Sequence, residues 1–329
     1  MEVQGNFSLE ALGGSDNISS HVSSKNVVLT DGILVTAGIV ILIENAISIA
    51  LLWKCSRLPF QIRILTLNLS FSDILTGFFL ALPNTLLYET YQCDIKKYPC
   101  FLFINVSLLI VTMMNMDRCF VFAFAMRYYT YITERLLVKL CILAWGFGFV
   151  LTYGMFFDYD ATLGLSCELM AFLKKNVINI TFRCVIIFIV VLNFWMFGYL
   201  VHHIRKSLLK VHAENDNLFS KRQSRTVRKI SVFTGVFLAT FSPFMIIYTF
   251  PVFDITSKVG KSIYTVSSSL VLLNSACNPV FYVWRFTEPR YHMKKLLCFW
   301  NKGLVASIDR EHNQITASYE INASSSKIN

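Results

Sequence analysis

Of 329 residues, 55% are apolar and only 15% charged, at a mean hydropathy of +0.54, whereas soluble chains carry about 25% charged residues; a two-domain soluble enzyme is excluded. Seven prolines and 14 glycines rule out a collagenous or low-complexity chain, and nine scattered cysteines without a CxxC pair rule out a disulfide scaffold or zinc ribbon. The net charge of +10 could serve nucleic acid, but its distribution along the chain says otherwise.

The chain opens with a polar stretch, 1–31, holding the sequons Asn6-Phe-Ser and Asn17-Ile-Ser. On an outward-facing tail both asparagines are glycosylation acceptors. No basic start leads into an apolar core, so no cleaved signal peptide is expected and the first span acts as its own signal anchor. Runs of about 20 residues suffice to cross a hydrocarbon core of about 30 Å. Seven such runs follow, at 32–53, 64–88, 98–116, 140–157, 176–201, 230–253 and 263–284. Four contain no charged residue, and the others hold one each: Glu44, Asp73 and Arg183. They are apolar all round rather than on one face, which predicts membrane helices, not buried helices of a large soluble protein.

The loops set the orientation. With the first stretch outside, 22 of the 30 Lys and Arg residues fall in cytoplasmic segments and 7 in outer ones, Arg183 being the remaining one, inside a span. That asymmetry follows the positive-inside rule and predicts a multi-pass plasma-membrane protein with an extracellular N-terminus. Basic side chains spread over membrane-flanking loops face anionic lipid of the bilayer, so no nucleic-acid partner is expected.

Polar side chains in hydrocarbon are costly and mark functional sites. At the depth of Asp73, in the second span, neutral amides and hydroxyls lie on spans one, three and seven: Asn45, Ser107, Asn274, Ser275 and Asn278. The set suits a small hard cation, which takes oxygen ligands. It equally suits a protonated carboxyl in a helix-packing network. Pro243 and Pro279 kink spans six and seven, which gives a bundle places at which to bend. Asp117 and Arg118 close span three at its cytoplasmic edge, where such a pair ordinarily snorkels.

Together these residues resemble the class A, rhodopsin-like G-protein-coupled receptors over about residues 30–300. Asn278-Pro-Val-Phe-Tyr282 is similar to the family's NPxxY box, Leu69-Ser-Phe-Ser-Asp73 to its LxxxD, and Asp117-Arg118-Cys119 to its DRY. Trp145 is similar to the lone tryptophan of helix four and Asn45 to the helix-one asparagine. The resemblance implies an all-α membrane protein, a seven-transmembrane helix bundle over 32–285. A short amphipathic eighth helix at 286–298 and a cytoplasmic tail at 299–329 would follow. It implies a receptor for an extracellular ligand, coupled to a heterotrimeric G-protein, and no enzymatic chemistry. Asp117, Arg118, Tyr199, Phe237, Pro243, Asn278, Pro279 and Tyr282 would carry activation and coupling. Asp73, Ser107, Asn274, Ser275 and Asn278 would hold an allosteric sodium ion. Cys93 and Cys167 would form a disulfide, and Cys298 would carry a palmitate. The ligand cavity would be lined by Cys100, Phe101, Ile104, Arg183, Phe244, Tyr248, Tyr264 and Ser268. Span seven has no lysine to hold retinal, so no opsin is expected.

Departures from the family pattern are expected to matter. Cys119 stands where tyrosine is usual, Glu44 where glycine precedes Asn45, and Thr240-Phe241-Ser-Pro243 where Cys-Trp-x-Pro is common. Val191 replaces the helix-five proline and Gln223 a helix-six glutamate. They keep open a non-signalling or constitutively active receptor. The ligand is open too. Cys100 occupies the place of the aminergic aspartate, which disfavours a monoamine. The missing helix-five proline is similar to the melanocortin, lysophospholipid, cannabinoid and adenosine branch, and odorant-type chemosensory use stays open. The internal repeats of a secondary transporter are absent. Arg183 lies roughly 10 Å below the start of span five at 1.5 Å per residue and stays charged. It points to a ligand carboxylate or phosphate, to Glu168 of the second outer loop, or to outer headgroups.

Overall fold

The computed structural model describes residues 13–56, 58–83, 93–124, 128–156, 177–213, 232, 234–247 and 257–325. These are helical apart from the turns between elements. Helix α1 (Gly13–Lys54) is continuous, with its apolar part over Asp31–Lys54. Helix α2 (Phe60–Leu80) starts four residues before the span expected at 64–88. Pro59, at φ −50°, stands immediately before it, and a fixed φ preorganises a helix start. Its first turn carries Gln61 and Arg63, polar residues that hydropathy leaves out. Residues 81–83 already form a turn, so among the described residues α2 ends short of the expected 88.

A single π-helical turn, Cys93–Lys97, leads into α3 (Tyr98–Phe124). This helix continues past Met116, because a charged Asp117–Arg118 pair ends an apolar run without breaking backbone hydrogen bonds. After the short turn Tyr128–Tyr131, α4 (Glu134–Met155) begins with Thr133 accepting the Leu136 N–H at 3.3 Å. That cap satisfies one of the orphan amides of a first turn. Helix α5 spans Val177–Ala213, α6 Thr234–Ile247 and α7 Lys258–Arg285. The described part of α6 is shorter than the expected 230–253. Among the described residues six helices are long and apolar enough to cross a membrane, and α6 is a shorter apolar helix.

Helix α3 is the axis. It packs on α2, α4 and α5, while α1 contacts α2 and α7 and closes the ring. The core is built on Val106, Leu108, Ile110 and Val111 of α3 with Leu65 and Leu69 of α2, Ile186 of α5 and Phe237 and Phe241 of α6. The outer surface is apolar as well: Ile142, Leu143, Phe188 and Trp195 are each about 65% exposed. A girdle of that kind is stable only against lipid tails.

Phe286 is extended and ends α7, and α8 (Thr287–Leu297) turns away within the expected 286–298. Arg290 ties the two helices by donating to the carbonyls of Val283 and Trp284, orphan acceptors at the end of α7. The stretch beyond 299 contains an element that hydropathy did not suggest. Helix α9 (Lys302–Ser325) starts at Asn301, whose Oδ1 accepts the Leu304 N–H at 3.1 Å, and folds back on α8. The Tyr291 hydroxyl donates to Asp309 at 2.6 Å, Lys295 pairs with the same carboxylate at 3.1 Å, and the Tyr291 and His312 rings stack at 4.0 Å.

Candidate functional site

A cavity of about 270 Å³ opens between the ends of α1, α2, α3, α6 and α7. Cys100, Phe101, Ile104, Phe244, Tyr264 and Ser268, all expected there, line it together. Its body is aromatic, with Phe101 and Phe244 rings 6.1 Å apart and Phe244 and Tyr264 rings 6.0 Å apart. Two lysines that the sequence reading passed over, Lys96 and Lys97, also line it. Both sit in the π-helical turn before α3, whose extra residue per turn re-aims side chains. Lys96 donates to the Leu82 carbonyl at 2.7 Å and lies 3.6 Å from Asp31 of α1, so one ammonium joins α1 to the facing ends of α2 and α3. Arg183 is buried on α5 but is not among the residues lining this cavity, which lies between other helices. Tyr248, Cys167, Glu168, Gln223 and Asn6 lie outside the described residues, as do the side chains of Cys93 and Asn17.

At mid-depth Asp73 is fully buried and accepts three hydrogen bonds. Ser275 and Ser107 donate to Oδ1 at 2.8 and 3.2 Å, and Asn278 donates to Oδ2 at 2.7 Å. Ser72 bonds Ser107 at 2.7 Å behind them. Spans two, three and seven therefore meet on one carboxylate. Asn274 is buried beside Ser275. Pro279 has no N–H for the Ser275 carbonyl one turn earlier, and Asn45 of α1 supplies it, donating to that oxygen at 3.1 Å. The buried side-chain oxygens of Asn278 and Asn45 receive no hydrogen bond. A hard cation takes such oxygens, so the donor set fits one.

Further along α3, five to eight residues beyond Ser107, lies a second polar cluster, absent from the sequence reading although its members stood in view as polar residues in apolar spans. Asn115 donates to Asn193 Oδ1 at 2.7 Å, Asn193 donates to Thr112 at 2.8 Å, and Thr234 donates to Asn115 Oδ1 at 2.7 Å. All four are buried. The chain of bonds holds α5 and α6 against α3 through groups that satisfy one another, which is the condition for stable burial.

Toward the C-terminal end of α3 Arg118 pairs with Asp117 at 3.0 Å, and the Tyr128 hydroxyl donates to the other oxygen of that carboxylate. Cys119, where the motif departs, reaches the Met196 carbonyl of α5 at 3.9 Å. Tyr282 is buried on α7, and Phe237 stacks on Phe241 at 5.3 Å inside the bundle, with Pro243 one turn above. Tyr199 lies on α5. It stacks on Trp195 and His203 of its own helix and lines a crevice between α3 and α5. Cys298 is a free, partly buried thiol just after α8.

Compared with known families, the chain matches the one described as 7 transmembrane receptor (rhodopsin family) over residues 44–282.

Proposed function

Because the chain belongs to the rhodopsin family of seven-transmembrane receptors, multi-pass membrane proteins that are receptors and not enzymes, we propose how this member receives and passes its signal. An extracellular ligand enters the cavity over Phe101, Phe244 and Tyr264, and a heterotrimeric G-protein docks at the cytoplasmic end of α3. The N-terminus is then outside and the protein sits in the plasma membrane, in keeping with the basic residues of its loops.

The observation that carries the ligand class is the pair Lys96 and Lys97 at an aromatic cavity, where the Asp31 carboxylate beside Lys96 offsets only one of the two positive charges. Ammonium groups beside an apolar body suit a small or amphiphilic ligand that ends in a carboxylate or phosphate. In this reading the anion meets these lysines, where the sequence had offered Arg183 among alternatives. A panel of small carboxylates, fatty acids, lysophospholipids and amines, read by G-protein dissociation, tests this. Acids should activate, with potency reduced in Lys96→Gln or Lys97→Gln at matched surface expression. A response to amines alone, or potency unchanged in both variants, overturns the acidic ligand.

Asp73, Ser107, Ser275 and Asn278 would hold a sodium ion, supported by their oxygen-only donor set and the unbonded Asn278 Oδ1. The ion supplies the positive charge that a buried ionised carboxylate requires. Around it Ser107 and Ser275 orient Asp73, and Asn45 keeps the α7 kink in register with α1. At the cytoplasmic end Asp117 and Tyr128 keep Arg118 engaged at rest. Release of Arg118 exposes a guanidinium to the G-protein.

A further inference from the structure

Where α1 ends and α8 begins, three side chains with no part in the receptor mechanism above converge. The Sγ of Cys55, a carboxylate oxygen of Glu288 and a ring nitrogen of His292 all lie within 4.8 Å of one another. Glu288 and His292 are four residues apart on α8 and therefore share one face. Cys55 is fully buried in the turn after α1, its thiol donating to the Leu51 carbonyl at 3.2 Å. The Ser56 N–H donates to Glu288 Oε1 at 3.1 Å, which fixes the carboxylate over the turn. Two separate elements thus present a sulfur, a nitrogen and an oxygen to one point.

We infer that Cys55, Glu288 and His292 form a zinc site that clamps α8 to the cytoplasmic end of α1. Thiolate, imidazole and carboxylate are the three ligand types zinc takes, and three protein ligands with one water complete its tetrahedron. Ligand atoms about 2.0–2.3 Å from a tetrahedral zinc are roughly 3.3–3.7 Å from one another. Rotation about the side-chain bonds of Glu288 and His292 closes the remaining gap. On binding, the Cys55 S–H bond breaks, the proton leaves to water and a Zn–S bond forms, with no change of oxidation state. A dication with one thiolate and one carboxylate has no net charge, which lowers the cost of placing it beside a buried sulfur. Lys54, His312 and Lys295, which lie near His292, oppose a cation; the two anionic ligands offset the charge of the metal itself. The other cysteines described are not part of a comparable cluster among the described residues. Zinc at this position joins two elements at the cytoplasmic face and so biases how far α8 can move.

The test uses the full-length receptor in nanodiscs, without a polyhistidine tag, stripped by a chelator and dialysed. Zinc is titrated against a chromogenic competitor, and cobalt is used separately as a spectroscopic probe. The expected result is one tight equivalent of zinc, a sulfur-to-cobalt charge-transfer band, and a zinc-dependent rise in melting temperature. Cys55→Ser should abolish the band. Glu288→Gln and His292→Ala should weaken zinc by roughly tenfold or more, while His312→Ala leaves binding intact. Should Cys55→Ser fail to fold, His292→Ala alone decides through the zinc affinity. Zinc binding unchanged in His292→Ala, or cobalt spectra without the sulfur band in the wild type, overturns the site.

Discussion

Gly38 and Gly77 face each other where α1 crosses α2, backbone against backbone. A Cβ on Gly38 would fall 2.5 Å from the Ala81 nitrogen, and one on Gly77 would fall 2.8 Å from the Gly38 carbonyl oxygen. The obstructing atoms are main chain and cannot rotate aside. Close approach of this kind is how membrane helices gain packing energy without a hydrophobic drive. Gly38→Val should therefore force the helices apart, at a cost of about 1–3 kcal/mol, and lower both surface expression and melting temperature. Wild-type melting in that variant would count against the crossing.

The cluster of Thr112, Asn115, Asn193 and Thr234 makes a second prediction. Asn193→Leu removes the group that both Asn115 and Thr112 contact, leaving buried polar atoms unsatisfied at about 1–3 kcal/mol each. Thr234→Val removes only the α6 end of the chain. Because the residues share partners, the double variant should lose less than the two single losses together. Thermal melting of the four proteins in a cycle reads the coupling, and strict additivity would show that the bonds act independently.

Arg118 is engaged by an acid that Tyr128 also contacts. Asp117→Asn removes the ion pair and should raise basal nucleotide exchange at matched expression. Tyr128→Phe should raise it less, since the pair itself survives. Basal exchange unchanged in Asp117→Asn would mean that the pair does not restrain the resting state.

Sodium should stabilise the wild type against choline at equal ionic strength. Asp73→Asn, which keeps the shape and removes the charge, should abolish the difference in melting temperature. A sodium-dependent rise that persists in Asp73→Asn would place the ion elsewhere.

Contact between α8 and α9 should be insensitive to pH over a wide window. Hydrogen bonds from Tyr291 and then Lys295 hold the Asp309 carboxyl below its usual range. Its contribution is complete above an unfolded value of about 3.9 and is lost as pH falls through the lower folded value. The bond to Asp309, then that to Tyr291, pushes Lys295 up. Its contribution is complete below about 10.4 and is lost as pH rises through the higher folded value. Hydrogen exchange of α9, corrected for its intrinsic rate, should show constant protection from about pH 5 to 9. Asp309→Asn should lower protection throughout. Protection that changes across neutral pH would show that the Asp309 and Lys295 pair does not hold α9 on α8.

The sequence by itself determined that the chain lives in a membrane, and its Lys and Arg residues carry the expectation of which way the loops face. Length of apolar run and placement of Lys and Arg are additive along the chain and need no knowledge of neighbours. Motif residues such as Asp73, Arg118 and Asn278 were legible for a related reason, since a polar group in hydrocarbon is conspicuous wherever it lies. Helix ends were less so, because Pro59 and Thr133 set two starts by backbone geometry and capping, and α3 runs on past the charged Asp117–Arg118 pair at which its apolar run stops. Only the tertiary structure decided partnerships. Asn45 could have met any oxygen at its depth, and packing of α1 on α7 gave it the one that Pro279 leaves open. Asn115 and Asn193 lie 78 residues apart, so no local pattern joins them. Lys96 and Lys97 line the cavity from a π-helical turn that no apolar run announces, while Arg183 is buried on α5 and is not among the residues lining that cavity. A bilayer acts on each residue through its depth alone, which a sequence records. Neighbours across the bundle depend on helix rotation and crossing, and these are settled only when all the helices pack at once.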